Sequence, residues 1–275
     1  MKEKEKDVRD LLECASGAPP FFLSGKGAFG SVWYCMEDAF SRFAIKVVET
    51  SGTDDWKHEF ESVKLYLSKV KPHPNLIQVY VLEERDECFF YLIDIADSMI
   101  DEAAYFPATL DTYVAWDPID NQELIDIFEQ LLDGLDALHA ARLVHRDIKP
   151  ENIIMVDGIP KFSDIGLVAS ALEPYRVAGT EDFIPPELLG RTKKITPRSG
   201  YEADIYALGK TLYCLFSGSS ANSFPIIGTD KLATPAGKII NRTINAVCHP
   251  SYARRLKTSD EFRKALRGIP VKPHR

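Results

Sequence analysis

In the stretch Leu143-Val144-His145-Arg146-Asp147-Ile148-Lys149-Pro150-Glu151-Asn152, three side chains suit the transfer of a phosphoryl group. Asp147 can accept a proton from an incoming hydroxyl, Lys149 can neutralise a phosphate, and Asn152 can hold a divalent cation. The stretch follows a strongly amphipathic segment and precedes an apolar run with a turn, so it should be a loop between a helix and a short strand. Alone, the same residues suit an ordinary loop with a helix-capping Asp and a surface Lys. The elements around them decide.

A phosphate-handling loop needs groups that hold the rest of the phosphate chain. Gly25-Lys26-Gly27-Ala28-Phe29-Gly30-Ser31-Val32 is flanked by β-prone apolar residues. Glycines at this spacing let backbone N–H groups approach phosphate oxygens, because no Cβ intervenes. A dinucleotide-binding turn would open a helix, whereas Val32-Trp33-Tyr34-Cys35 continues as a strand. Phe43-Ala44-Ile45-Lys46-Val47-Val48 is an alternating strand with one lysine at its centre. A lysine there is unfavourable unless it is paired or snorkels from an edge. Residues 54–70 have a helical period, with Trp56, Phe60, Val63, Leu67 and Val70 on one stripe. At about 100° per residue Glu59 borders that stripe and Glu61 points away from it. Glu59 is the favoured partner for Lys46, and Glu61 the alternative.

Further along, Cys88-Phe89-Phe90-Tyr91-Leu92-Ile93 reads as a buried strand. Asp120 and Glu123 form a capping-box-like pair before a helical stripe of Leu124, Phe128, Leu131, Leu135 and Leu138. Ile153-Ile154-Met155 and Lys161-Phe162 flank a hairpin turn at Asp157-Gly158. Residues 217–236 read as a long loop, and the last helices are expected over 235–248 and 258–266.

The eight residues His-Arg-Asp-Ile-Lys-Pro-Glu-Asn, together with the glycine run and the strand lysine, resemble the eukaryotic-type (Hanks-type) serine/threonine protein kinases. The resemblance runs from about residue 19 to 267 in the family's order. It implies an α+β, two-lobed fold: a small antiparallel β-sheet lobe with one main helix, and a larger, mainly helical lobe. It implies an N-terminal extension at 1–18, a kinase domain over 19–268 and a tail at 269–275. Within the domain the N-lobe would cover about 19–93, the hinge 94–97 and the C-lobe 98–268.

ATP as co-substrate and Mg²⁺ are implied with it. Gly25, Lys26, Gly27, Ala28, Phe29 and Gly30 would cover the phosphates, and Lys46, paired with Glu59, would hold them. Val32, Ala44, Ile93 and Ile154 would enclose adenine, with backbone groups of Asp94 and Ala96 meeting its edge. Asp164, in Ser163-Asp164-Ile165-Gly166 where the family has D-F-G, would bind Mg²⁺ with Asn152. Asp147 would be the catalytic base, and Lys149 at this offset is the serine/threonine pattern. Thr180 would hydrogen-bond around Asp147 and Lys149, Glu187 would pair with Arg255, and Asp204 would anchor the catalytic loop. The expected activity is γ-phosphoryl transfer from ATP to protein Ser and Thr hydroxyls; the alternative is a catalytically weak pseudokinase-like scaffold that binds ATP.

The formal charge of −8 over 275 residues argues against non-specific nucleic-acid binding. No apolar run reaches the ~18 residues of a membrane span. Five scattered cysteines without metal-binding spacing read as reduced thiols of a cytoplasmic protein. Protein substrates are the expected partners. Glu151 favours a basic substrate, whereas the basic run 191–194 favours an acidic one or a docking patch. Before Thr180 the activation segment offers only Ser170 and Tyr175 as hydroxyls, and Arg176 stands where a phosphothreonine is common in the family. With Glu173 nearby as a ready carboxylate, basal activity without phosphorylation is expected.

Overall fold

The structure is a computed structural model that describes residues 21–26, 30–35, 43–50, 55–85, 88–100, 105–172, 177–189 and 197–269. Gly27, Ala28, Phe29, Glu173, Tyr175, Arg176, the extension 1–18 and the basic run 191–194 lie outside the described residues.

Strands β1 (Phe21–Lys26), β2 (Ser31–Cys35), β3 (Phe43–Glu49), β4 (Val79–Glu84) and β5 (Cys88–Asp94) form one antiparallel sheet in the order β1-β2-β3-β5-β4. Alternation along the strands divides the sheet into two faces. Trp33, Ile45, Val47 and Cys88 form a small cluster on one side, with Leu23, Phe90 and Leu92 against it. Val48, Phe89 and Tyr91 join the main core on the other. β5 runs one residue into the expected hinge, because Asp94 is still paired with Phe43.

Helix α1 (Asp55–Lys69) packs against the main-core face of the sheet. Its buried residues are Glu59, Ser62, Val63 and Tyr66, while Leu67 is exposed. The face is therefore rotated from the apolar stripe read in the sequence. Glu59 lies inside the contact rather than at its border, which is tolerable because its carboxylate finds cationic and hydroxyl partners there.

The second lobe contains α2 (Leu110–Trp116), α3 (Asn121–Ala140), α4 (Pro197–Ser217), α5 (Pro235–Val247) and α6 (Ser259–Leu266). Its short strands are β6 (Leu143–Val144) with β9 (Ala169–Ser170), and the hairpin β7 (Ile153–Val156) with β8 (Ile159–Phe162). Leu124, Phe128, Leu131, Leu135 and Leu138 of α3 are buried, as their spacing requires. Asp120 caps α3 by accepting from the backbone N–H of Gln122 and Glu123. The reciprocal half of a capping box is formed instead at α6, between Thr258 and Glu261. Among the described residues no helix is long and apolar enough to cross a membrane.

One ion pair ties the segment before α4 to the segment between α5 and α6. Arg255, 2% exposed, meets both carboxylate oxygens of Glu187 at 2.7 and 3.1 Å, and its Nε donates to the His249 carbonyl. Truncating one partner of a buried pair costs about 3–5 kcal/mol, because the other charge is stranded. Arg255→Ala should therefore lower the thermal midpoint by about 6–20 °C, at roughly 2–4 °C per kcal/mol for a chain this size. Differential scanning calorimetry reads it directly; a shift under about 2 °C would mean that Glu187 is already satisfied by solvent.

Candidate active site

The cleft side of the sheet carries Lys46 at the centre of β3. Its Nζ lies 2.8 Å from Glu59 Oε1 and 2.8 Å from Asp164 Oδ1. Burial alone would depress the lysine's pKa, but Tyr91, Asp164 and Glu59 outweigh it and raise the pKa well above the ordinary value. The Asp164 carboxyl moves the opposite way: burial would raise it, yet the Lys46 charge and hydrogen bond bring it below the ordinary value. Both groups are therefore ionised near neutrality. Glu61, by contrast, is exposed and reaches only Lys64, at 3.9 Å.

Asp164 sits in the left-handed region at φ 45°, a conformation Asp tolerates better than most residues. Two residues on, Gly166 presses its Cα against Glu59; a Cβ there would lie 2.9 Å from the Glu59 carboxyl carbon. Ile165, where the family usually has Phe, is buried in the main core.

The loop after β6 is held by a buried carboxylate on α4. Asp204, 1% exposed, accepts from the backbone N–H of His145 and of Arg146 at 2.9 Å each, and lies 2.9 Å from His139 Nε2. This holds Arg146 at φ 74°, which a bulky side chain rarely adopts. The Asp147 N–H points at His145 Nδ1, so His145 Nε2 carries the hydrogen and donates to the Ser163 carbonyl. That bond links the loop to the segment bearing Asp164.

Asp147 has a full set of donors. Its Oδ1 accepts from Thr180 N and Oγ1 at 2.9 and 2.8 Å, and its Oδ2 from Asn152 Nδ2 at 2.7 Å. Lys149 Nζ lies 3.2 Å from the same Oδ2 and donates to Thr180 Oγ1 at 2.8 Å. Gly179 permits this approach: at φ 108° its Cα lies so close to the loop that a Cβ would overlap the Arg146 carbonyl. The structure thus gathers Asp147, Lys149, Asn152 and Thr180 into one network, and Lys46, Glu59 and Asp164 into another.

The residues expected around adenine are dispersed along the junction of the two lobes. Ala44 pairs with Ile93 across β3 and β5, Val32 pairs with Lys46 across β2 and β3, and Ile154 is buried on β7. Gly25 and Lys26 end β1, and Gly30 precedes β2. Ala96 keeps its N–H outside any hydrogen bond among the described residues, while its carbonyl accepts from Tyr105 at 3.1 Å. Tyr105 in turn packs on Tyr34 with ring centroids 4.4 Å apart. Neither tyrosine stood out in the sequence, since an aromatic residue in a loop or strand has no period to betray a tertiary contact.

The Asp94 side chain is more occupied than a plain hinge residue would be. It accepts from the Gln78 N–H, the Tyr80 hydroxyl and Lys161 Nζ. Its backbone N–H is engaged as well, donating to the Gln78 carbonyl at 3.3 Å, so its carbonyl is the group that could face a ligand.

For a divalent cation the donor set is short but of the right kind. Asn152 uses its amide nitrogen within the loop, towards the Asp147 carbonyl and Oδ2, which leaves its amide oxygen. Asp164 gives Oδ1 to Lys46 and also accepts from the Gly166 backbone N–H, and a carboxylate keeps further lone pairs for a cation. Two hard oxygens suit Mg²⁺, which completes its shell with phosphates and water. Among the described residues no group of three or more His, Cys, Asp or Glu is gathered to hold a metal unaided.

The protein kinase domain family matches residues 23–267. The chain belongs to the eukaryotic-type protein kinase family. It is 29% identical over 204 residues to serine/threonine-protein kinase PknK of Mycobacterium tuberculosis, covering 72% of this chain and 17% of that one. It is 26% identical over 261 residues to serine/threonine-protein kinase PLK4 of Drosophila virilis, covering 90% and 30%. With death-associated protein kinase 2 of Mus musculus it shares 29% over 227 residues, covering 77% and 56%. The chain thus spans between about a sixth and a little over half of these curated relatives.

Asp204 offers a direct test of how the loop is held. Arg146 and His145 donate to different oxygens of Asp204, so Asp204→Asn keeps an acceptor for one backbone N–H and puts an amide donor against the other. Stability should fall by about 1–3 kcal/mol, the range for leaving a buried donor without an acceptor. Hydrogen exchange at the His145 and Arg146 amides should rise at the same time. Unchanged protection of those two amides would show that the loop is held by other contacts.

Proposed function

We propose that this chain is an active serine/threonine protein kinase that transfers the γ-phosphoryl group of ATP to Ser and Thr hydroxyls of proteins. The observation that carries the reading is the ion-pair network in which Lys46 bridges Glu59 and Asp164. A scaffold that merely resembled a kinase would be free to lose any one of these three groups. The relatives' names as serine/threonine kinases and Lys149 two residues after Asp147 support the hydroxyl class. We take the catalytic domain to be 19–268, with its hinge at 94–97. Five scattered cysteines without metal-binding spacing support a cytoplasmic setting.

In this reading Lys46, fixed by Glu59, presents its charge to the phosphates, and the glycine-rich stretch 25–30 covers them with backbone N–H groups. Asn152 and Asp164 would hold Mg²⁺, which neutralises charge developing on the phosphate oxygens. Val32, Ala44, Ile93 and Ile154 wall the adenine, and the Asp94 and Ala96 backbones meet its edge. Asp147 orients the protein hydroxyl and takes its proton.

A carboxylate has about four acceptor positions, and those of Asp147 are taken by Thr180 twice, by Asn152 and by Lys149. An incoming hydroxyl must displace one of them. The Lys149 contact, at 3.2 Å, is the longest, and Lys149 keeps Thr180 Oγ1 as a second partner. Lys149 therefore turns towards the transferred phosphoryl as the hydroxyl takes its place.

Incubation with labelled ATP, Mg²⁺ and a generic protein substrate tests the reading. Label should pass to Ser and Thr, and Asp147→Asn should reduce transfer by about 10²–10⁴-fold. MgATP binding without transfer by the wild type would replace the kinase with an ATP-binding scaffold.

Glutamate substitutions on α1 separate the two carboxylates. Glu59→Gln should lower kcat/KM about tenfold, the equivalent of about 1.4 kcal/mol of transition-state stabilisation, and Glu61→Gln should stay within about twofold. Lys46→Met should nearly abolish transfer. Equal effects at Glu59 and Glu61 would disconnect the observed ion pair from turnover.

A further inference from the structure

Tyr91 lies inside β5, and strand register pairs it with Lys46 of β3. Directly opposed residues project from the same face, so the phenol and the ammonium share one environment. The tyrosine is 1% exposed, and its ring stacks on Phe89 with centroids 6.2 Å apart. Lys46 Nζ lies 5.9 Å from the ring centroid. The hydroxyl donates to Glu59 Oε1 at 2.8 Å, the oxygen that also meets Lys46. Two donors, both from strands of the sheet, thus converge on one carboxylate oxygen carried by a helix.

The hydroxyl is what singles this position out, since Phe, Leu or Met would fill the same apolar space. A buried phenol hydroxyl is unfavourable without a partner, and Glu59 is its partner. Burial, reinforced by Glu59 and Asp164 and opposed by Lys46, raises the Tyr91 pKa well above the ordinary value. The group therefore stays protonated and acts as a donor. A lysine–glutamate pair alone joins two long, rotatable side chains. A phenol has two torsions, and here its ring is held in the core. It can fix the position of Oε1 where Lys46 alone would follow it. Gly166 closes the other side of the same carboxylate.

We propose that Tyr91 is a positioning residue for phosphoryl transfer: its hydroxyl pins the Glu59 carboxylate, and with it α1, where Lys46 is presented to the nucleotide phosphates. The inference rests on the reading of Lys46 as the phosphate-binding lysine. Its consequence is that the sheet, and not only the lysine it carries, sets the working position of the helix.

The test is a double-mutant cycle of Tyr91→Phe with Glu59→Gln, read by kcat, KM for ATP, MgATP affinity by calorimetry, and thermal midpoint. Tyr91→Phe keeps the ring, so its midpoint should stay within about 4 °C of wild type. Its kcat/KM and its affinity for MgATP should each fall about tenfold. In the Glu59→Gln background the same change should add less than about twofold to either loss, because the tyrosine acts through that carboxylate. A purely structural tyrosine would instead give losses that multiply, and that result overturns the proposal. So does a Tyr91→Phe enzyme within about twofold of wild type in both quantities. If the phenylalanine variant does not fold, Tyr91→Met enters the same cycle.

The calorimetric arm keeps this question apart from the broader reading. A wild type that binds MgATP but transfers nothing removes the kinase activity, and the binding cycle still decides the role of Tyr91. A wild type that does not bind MgATP overturns both.

Discussion

A lysine ammonium inside a β-sheet is stable only if its charge is answered, and the answers to Lys46 come from three separate pieces of chain. Glu59 arrives on α1, Asp164 on the segment after β8, and the Tyr91 ring on the neighbouring strand. Removing a charge from water costs several kcal/mol unless partners are in place. The sheet, the helix and the Asp164 segment must therefore assemble together or leave that penalty standing. Gly166 fits the same constraint: a Cβ there would lie 2.9 Å from the Glu59 carboxyl carbon and push that side chain from its place beside Lys46. Sequence choices at four distant places thus express one electrostatic requirement.

The second network works on the backbone. Asp204 gathers N–H groups from two consecutive residues, which imposes the left-handed conformation of Arg146 and leaves Asp147 facing Thr180. Strain of this kind persists only where surrounding contacts over-determine it. Here they do so from two directions, with the α4 carboxylate below and Gly179 pressed against the Arg146 carbonyl above. His145 joins the two networks, because its ring takes the Asp147 N–H on one nitrogen and reaches the Ser163 carbonyl with the other. The position of Asp164 is therefore coupled to the conformation of the loop that carries Asp147.

What was legible in the sequence follows from what leaves a periodic or local trace. The two faces of the sheet were written in the alternation of β3, and the α3 stripe in its spacing. The choice between Glu59 and Glu61 could be posed because two positions on a helix differ by about 200° of rotation. The precise buried face could not be read: Leu67 is as apolar as Tyr66, yet Tyr66 is buried with its hydroxyl on the Ile77 carbonyl and Leu67 is exposed. The phenol of Tyr91 was hidden for a related reason. In a continuous apolar strand a tyrosine is indistinguishable from core until the residue opposite its hydroxyl is known, and that residue lies 32 positions away. The resemblance could order the glycine stretch, the lysine and the loop along the chain, but it assigned no role to Tyr91.

The junction between the lobes shows how side chains free the backbone for other work. Asp94 ends β5 with its carboxylate committed to the Gln78 N–H, the Tyr80 hydroxyl and Lys161 on β8. Its neighbours β4 and β8 belong to different lobes, so this one carboxylate spans the crossing between them. Tyr105 adds a second tie from the segment beyond, by taking the Ala96 carbonyl and stacking on Tyr34 of β2. A connecting segment held on both sides loses little further conformational entropy when a flat ring docks against it. The same ties shape what the ring can find there: Tyr105 takes one lone pair of the Ala96 carbonyl, and the Ala96 N–H is engaged by none of the described residues. On the reading proposed above, the Ala96 N–H is therefore the donor that meets adenine at this residue, and it calls for an acceptor nitrogen on the edge of the base that turns towards it.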